Sequence, residues 1–131
     1  MKEASNDKKP ANAPEDHDDT TDQHAAAAEF LRMEADFEAA YLHTMRAAWM
    51  ADNKQPNSTE ASMSKAKAGR MVTELTNKAV EIGGTAGYSE VGLLEKWARD
   101  SKILDIFEGT QQIQQLIIAR RVLGKSSSEL K

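Results

Sequence analysis

One short segment near the C-terminus combines the residue types of a proton-transfer site. In ILDIFEGTQQIQQ, residues 103–115, Glu108 follows two bulky apolar residues and precedes Gly109 and Thr110. Thr110 is a good N-cap, so a helix should begin there with unpaired N–H groups, which favour an anion or a polarised carbonyl oxygen. Apolar neighbours raise the proton affinity of a carboxylate. Two interpretations stay open on this chemistry: Glu108 is a general base, or it is an ordinary charged residue at a helix start.

A second segment, GGTAGY at residues 83–88, could in principle cradle a phosphate. It follows a helical pattern rather than a strand, so it is neither a Walker loop nor a dinucleotide fingerprint. Glycine permits the backbone angles at which helices end. On its own, the segment therefore predicts a helix stop.

No metal site is expected from the sequence. The chain has no cysteine, which excludes thiolate ligands, disulfides and thiol catalysis. His17 stands between Asp16 and Asp18 in a polar segment, where a solvated side chain is the favoured interpretation over a metal ligand.

The spacing of apolar residues predicts an all-α protein, most simply an up-and-down helical bundle. A long helix from Ala25 carries one apolar stripe, and a second helix begins near Asn57, which with Glu60 has the arrangement of a capping box. A shorter helix is predicted over residues 91–101, and a last one from Thr110 to Gly124. The stripe of the first helix contains Phe30, Met33, Phe37, Tyr41, Met45 and Trp49, and the face of the second contains Ala68, Val72, Leu75, Ala79 and Ile82.

Charge and composition divide the chain into three parts. The first 24 residues hold seven acids and three lysines and thus the whole net charge of −4. They contain little to bury and predict a disordered acidic tail, followed by a helical domain at 25–124 and a flexible end at 125–131. The domain is close to neutral, which leaves nucleic-acid binding without support. With no apolar run of membrane-spanning length and no signal-peptide pattern, we expect a cytoplasmic protein.

Several motifs in order give the segment at 34–123 a resemblance to the C-terminal helical domain of acyl-CoA dehydrogenases. These flavoproteins introduce the α,β double bond into acyl-CoA thioesters, a step of fatty acid β-oxidation. The matching segments are RAAW (46–49), SKAKAG (64–69), GGTAGY (83–88), ARDSKILDIFEGT (98–110) and QIQQLIIAR (112–120).

The resemblance implies a role for individual residues. Glu108 matches the family glutamate that removes the α-proton, and its backbone N–H would bind the thioester carbonyl. Gly109 leaves room beside the acyl chain, and Thr110 and Gln112 match positions that contact FAD. In family tetramers, the segment around residues 81–85 meets the FAD of a neighbouring subunit, which adds three cofactor-binding candidates: Glu81, Gly84 and Thr85.

The sequence departs from the family pattern at four positions. Glu81 replaces a frequent glutamine, and a carboxylate there would repel a pyrophosphate. Thr85 replaces a glycine, Ala86 stands where asparagine or a bulkier residue is common, and Phe107 replaces a frequent tyrosine.

The resemblance covers only part of a bundle, because the first bundle helix has no counterpart in residues 1–24. An exposed apolar strip should follow, with association or low stability as its consequence. We therefore expect part of a flavin-dependent acyl-CoA dehydrogenase, completed in a homo- or hetero-oligomer by a chain with the missing domains. Electron-transfer flavoprotein is the acceptor that the resemblance implies. Two alternatives are a non-catalytic module that associates through its apolar groove, and a plain helical-bundle binding protein in which Glu108 is a cap.

Overall fold

The computed structural model describes residues 19–129, with the side chains of residues 23–129. This part of the chain contains no strand and confirms the predicted all-α class. The elements are α1 Asp19–Asp52, α2 Ser58–Ile82, the single turn α3 Gly84–Gly87, α4 Leu94–Leu104 and α5 Gln111–Leu123. No helix among these residues has the length and apolarity needed to cross a lipid bilayer.

Helix α2 is the centre of the fold, because α1, α3, α4 and α5 all pack against it. Helix α1 runs antiparallel to α2: the Thr44 and Ser64 hydroxyls lie 2.6 Å apart, and Arg46 reaches Glu60 at 3.5 Å. On another side of α2, the Thr76 hydroxyl donates to Ser101 of α4 at 3.0 Å. The helices thus form a partial bundle around one central member.

Small side chains occupy the contact between α1 and α2. Ala40 is 2% exposed and Ala47 is 6% exposed, and Ser64 of α2, whose hydroxyl lies against Thr44, is also buried. Small residues at facing positions let two helix axes approach closely. The structure is therefore held by close backbone approach rather than by a core of large side chains.

The large apolar residues of α1 lie on a different face from the contact with α2. Phe37 is 49% exposed and Trp49 is 57% exposed, and the rings of Phe37 and Tyr41 stack with centroids 6.3 Å apart. This stripe lacks a packing partner within the described residues, as the partial resemblance predicts. We call it the α1 stripe: Phe30, Phe37, Tyr41, Met45 and Trp49.

Several predicted boundaries need correction. Helix α1 already includes Asp19, six residues before Ala25, because polar residues extend a helix once an amphipathic segment anchors it. The rest of the predicted tail, with His17, lies outside the described residues. The third long helix spans Leu94–Leu104, three residues later than expected, since residues 89–93 form turns.

The predicted side-chain cap of α2 by Asn57 is also wrong. The helix does begin after Asn57, but the Asn57 side chain makes no cap hydrogen bond. Its amide instead donates to the carbonyl of Ala47 at 2.8 Å, which ties the α1–α2 connection back onto α1. The tertiary contact replaces the local one.

The glycine segment ends α2 as predicted and then forms the unpredicted turn α3. Gly84 has φ +51°, which changes the chain direction after Ile82. Gly87 is buried, and a Cβ on it would lie 2.4 Å from the carbonyl oxygen of Val80. Glycine at 87 is therefore required by close approach to α2.

We expect Gly87→Ala to destabilise the chain by roughly 1–3 kcal/mol, because the added methyl forces α3 away from α2. The measurement is chemical denaturation followed by circular dichroism at 222 nm. Gly92→Ala is the matched control, since a Cβ there meets atoms no nearer than 3.7 Å. Equal denaturation midpoints for the two variants would contradict this account of Gly87.

Candidate functional site

The segment between α4 and α5, residues 105–110, holds Glu108 in an unusual backbone conformation. Glu108 has φ +56° and Gly109 has φ +98°. A positive φ is disfavoured for a residue with a Cβ, and such residues concentrate at functional sites. We call residues 105–110 the Glu108 loop.

The backbone amides of this loop leave several donors available. Among the described residues, the N–H groups of Glu108, Gly109, Thr110 and Gln112 donate no hydrogen bond. The Thr110 hydroxyl accepts from the N–H of Ile113 at 3.4 Å, which confirms Thr110 as the N-cap of α5. Free donors at a helix start suit a carbonyl or anionic oxygen, so these residues fit a ligand of that chemistry.

Hydrogen bonds within the loop and α5 hold its shape. The N–H of Gln111 donates to the carbonyl of Asp105 at 3.2 Å, and the Gln114 amide lies 3.4 Å from the Glu108 carbonyl. A Cβ on Gly109 would lie 2.6 Å from the Gln114 side-chain nitrogen. Gly109 is thus favoured by its positive φ, and the movable end of the Gln114 side chain lies next to it.

An open apolar concavity lies beside Glu108. Its volume is about 350 Å³, and α2 and the end of α4 supply its walls. The prediction that Ile106 and Phe107 desolvate Glu108 is wrong for the described residues, because all three side chains are exposed. Glu108 stays exposed because the concavity has walls on one side only, formed by α2 and the end of α4. The lining residues are Lys65, Ala68, Gly69, Met71, Val72, Leu104, Phe107 and Glu108.

The second group of predicted cofactor-binding residues lies at the far end of α2. Glu81 is exposed and pairs with Lys78 at 2.8 Å, and Gly84 and Thr85 are exposed on α3. The hydrogen bond to Glu81 raises the pKa of Lys78 above its ordinary value. The positive charge of Lys78 offsets the negative charge of Glu81, which the sequence analysis predicts to repel a pyrophosphate.

The structure does not bring the two groups together within one chain. Gly69, beside the Glu108 loop, and Glu81 are twelve residues apart in α2, which corresponds to about 18 Å along a helix axis. Among residues 19–129, no group of three or more metal-ligating side chains is positioned to hold a metal ion.

Two further residues, Lys65 and Arg70, contact this region and were not predicted from the sequence. The Lys65 ammonium donates to the carbonyl of Leu104 at 2.5 Å and lies 5.6 Å from the centre of the Phe107 ring. The Arg70 guanidinium lies 2.8 Å from the Gln111 side-chain oxygen when that amide is oriented to accept. Only the packing of α4 and α5 on α2 reveals these contacts, because Lys65 is 39 residues from Leu104 in the sequence.

Comparison with known proteins identifies relatives for this segment. The family profile described as "Acyl-CoA dehydrogenase, C-terminal domain" matches residues 12–123, and so begins well before Glu34. A probable acyl-CoA dehydrogenase of Bacillus subtilis, YngJ, is 37% identical over 91 residues, which are 70% of this chain and 24% of that protein. The mitochondrial short-chain specific acyl-CoA dehydrogenase of Bos taurus is 42% identical over 86 residues, which are 66% of this chain and 21% of that protein.

Solved structures agree with the sequence matches. Butyryl-CoA dehydrogenase from Megasphaera elsdenii superimposes with a TM-score of 0.75 at 29% sequence identity, over 76% of this chain and 26% of that one. This chain therefore spans about a quarter or less of the length of these relatives.

The backbone of Glu108 generates a stability prediction. Because asparagine tolerates a positive φ better than glutamate does, Glu108→Asn should stabilise the chain by roughly 0.5–1 kcal/mol. Lys54, which has φ +55° in the α1–α2 connection, offers a second position where the same change should stabilise.

Thermal unfolding of Glu108→Asn, Lys54→Asn and an exposed control without positive φ, Glu90→Asn, measures this effect. The control should change the free energy of unfolding by less than about 0.5 kcal/mol. A lower stability of Glu108→Asn than of the parent chain would show that Glu108 is not strained.

Proposed function

The chain belongs to the acyl-CoA dehydrogenase family, and from this premise we propose that it supplies the general base of a flavin-dependent α,β-dehydrogenation of an acyl-CoA thioester. The base is Glu108. The observation that carries the proposal is the Glu108 loop, in which a carboxylate on a strained backbone adjoins several unpaired N–H donors.

The free donors of the loop are suited to the charge that this reaction develops. Removal of a proton α to a thioester places negative charge on the carbonyl oxygen, and preorganised N–H groups stabilise such charge. The unpaired N–H of Glu108 is the donor that the family resemblance selects. The same residue would thus bind the carbonyl through its backbone and take the proton through its side chain.

Gly109 and the apolar concavity give the acyl group room next to this base. Gly109 has no side chain to occupy the space beside Glu108, and its positive φ disfavours any other residue there. The concavity beside Glu108 is almost entirely apolar in its lining. We assign the substrate-binding role to Glu108 and Gly109, in keeping with an acyl chain that avoids water.

FAD is the cofactor that this family membership implies, and when bound it would accept the hydride that leaves the β-carbon. Thr110 and Gln112 would hold it through the unpaired N–H groups at the start of α5. Glu81, Gly84 and Thr85 would contact the FAD of a neighbouring copy, since the length of α2 separates them from the Glu108 loop. Lys78 beside Glu81 supplies a positive charge for that contact.

We propose that surfaces outside the described residues complete the active site. This chain spans only about a quarter or less of its relatives, and the Glu108 carboxylate is exposed. A base must be desolvated and held against its substrate to be effective. A partner that covers the α1 stripe and the Glu108 loop would meet both needs, with electron-transfer flavoprotein as the electron acceptor.

We expect Glu108→Gln to reduce turnover of the assembled enzyme by at least about 100-fold, because an amide cannot accept the α-proton. Flavin content, read from the absorbance of the purified complex, should stay unchanged. Dehydrogenation is measured with an artificial electron acceptor on the complex isolated from its own host, and Glu90→Gln is the control for an exposed acid outside the site. Turnover of Glu108→Gln within about twofold of the parent would disprove the base assignment.

A second candidate function rests on the α1 stripe. The stripe leaves large aromatic residues exposed along one helix, which favours a non-catalytic module that associates through this face. Native mass spectrometry of the gently purified protein separates the two functions. A flavin and a chain with the missing domains support the dehydrogenase, and a flavin-free homodimer supports the interaction module.

A further inference from the structure

We propose that Lys65 is a positioning residue for Glu108, which it holds in place by clamping the Glu108 loop onto α2. The inference rests on the proposed function only for its effect on turnover. The structural part, the clamp itself, stands on contacts that are independent of any activity.

Lys65 contacts the loop at two points. Its ammonium donates to the carbonyl of Leu104, the last residue of α4, at 2.5 Å. It also lies 5.6 Å from the centre of the Phe107 ring, within the range of a cation–π interaction. Leu104 and Phe107 bracket the entry to the loop, and Phe107 directly precedes Glu108. One side chain of α2 thereby fixes both the end of α4 and the residue next to the proposed base.

The hydrogen bonds inside the loop do not provide this attachment. The hydrogen bonds of Gln111 to Asp105 and of Gln114 to Glu108 join the loop to itself and to α5. They set its shape but not its position relative to α2. A backbone at φ +56° persists only where the surroundings determine it, so a loop of this kind needs external restraints.

The sequence of α2 is arranged to receive the loop. Four residues after Lys65, Gly69 allows close approach: a Cβ there would lie 3.0 Å from the Leu104 carbonyl oxygen and 3.2 Å from the Asp105 Cα. Arg70 then reaches Gln111 at the start of α5. Lys65 and Arg70 thus hold the two flanks of the loop, with Gly69 between them.

Lys65 is available for this role because no acid engages it. It forms no ion pair with another described residue, whereas Lys67, two positions later, pairs with Asp36 of α1. The carbonyl end of α4 attracts a cation through its partial negative charge. The positive charge of Lys65 is therefore directed to the helix end that leads into the Glu108 loop.

Hydrogen–deuterium exchange of the full chain tests the clamp directly. Lys65→Met keeps most of the apolar stem and removes the donor, so exchange of the hydrogen-bonded amides of Asp105, Ile106 and Phe107 should accelerate about tenfold, the effect of losing a charge-assisted hydrogen bond. Lys65→Arg should restore most of the protection, because it retains donors and the contact with an aromatic ring. Lys67→Met is the matched control and should leave exchange at 105–107 within about twofold of the parent.

Turnover of the assembled complex tests the consequence for Glu108. Lys65→Met should lower kcat about tenfold with KM within about threefold, because the base is misplaced while binding persists. Lys65→Arg should recover kcat. In a Glu108→Gln background, Lys65→Met should cause no further loss, since residues that act as a unit are not additive.

Unchanged exchange at 105–107 in Lys65→Met, or equal acceleration in Lys67→Met, overturns the clamp. Accelerated exchange with kcat unchanged overturns the positioning role. A failure of the proposed function is seen separately, as full turnover in Glu108→Gln, and the exchange result still decides whether Lys65 holds the loop.

Discussion

Close approach of helix backbones to α2 places every other described helix of this chain. Ala40, Ala47 and Ser64 allow it on the side of α1, and Gly69 allows it on the side of α4. No large apolar side chain among the described residues is fully buried. Since burial of large side chains is the usual source of stability, the helical arrangement of this chain relies on the fit of small residues and on what covers its outer faces.

The same constraint produces the geometry of the candidate site. Because α4 can lie directly on α2 at Gly69, the loop after α4 comes within reach of Lys65 and Arg70. A rigid central helix then sets the distance between the Glu108 loop and the glycine-rich turn at its other end. The candidate residues at the two ends of α2 accordingly lie on two separate surfaces.

The sequence predicts elements whose cause is local. The N-cap at Thr110 follows from one hydroxyl and one amide, and the end of α2 follows from Gly83 and Gly84, although Gly84 rather than Gly83 takes the positive φ. The prediction fails where tertiary contacts decide: Asn57 bonds to Ala47 instead of capping α2.

Likewise, periodicity identified the α1 stripe as apolar but could not say which face meets α2, since small residues form that contact. The candidate site residues came from a resemblance in motifs. The chemistry of the segment alone left Glu108 ambiguous between a general base and an ordinary charged residue at a helix start. The Lys65 contacts could not be predicted from the sequence, because they depend on how α4 is positioned along α2.

The half-exposed indoles of α1 and α4 make the intrinsic fluorescence of this chain a reporter of its assembly. Trp49 belongs to the α1 stripe, and Trp97 lies on α4, and these are the two tryptophans of the sequence. Indole fluorescence shifts to shorter wavelength when water leaves its surroundings. A partner that covers one helix face and leaves the other in water will therefore shift the emission of one tryptophan alone, and variants that keep a single tryptophan show which face is covered.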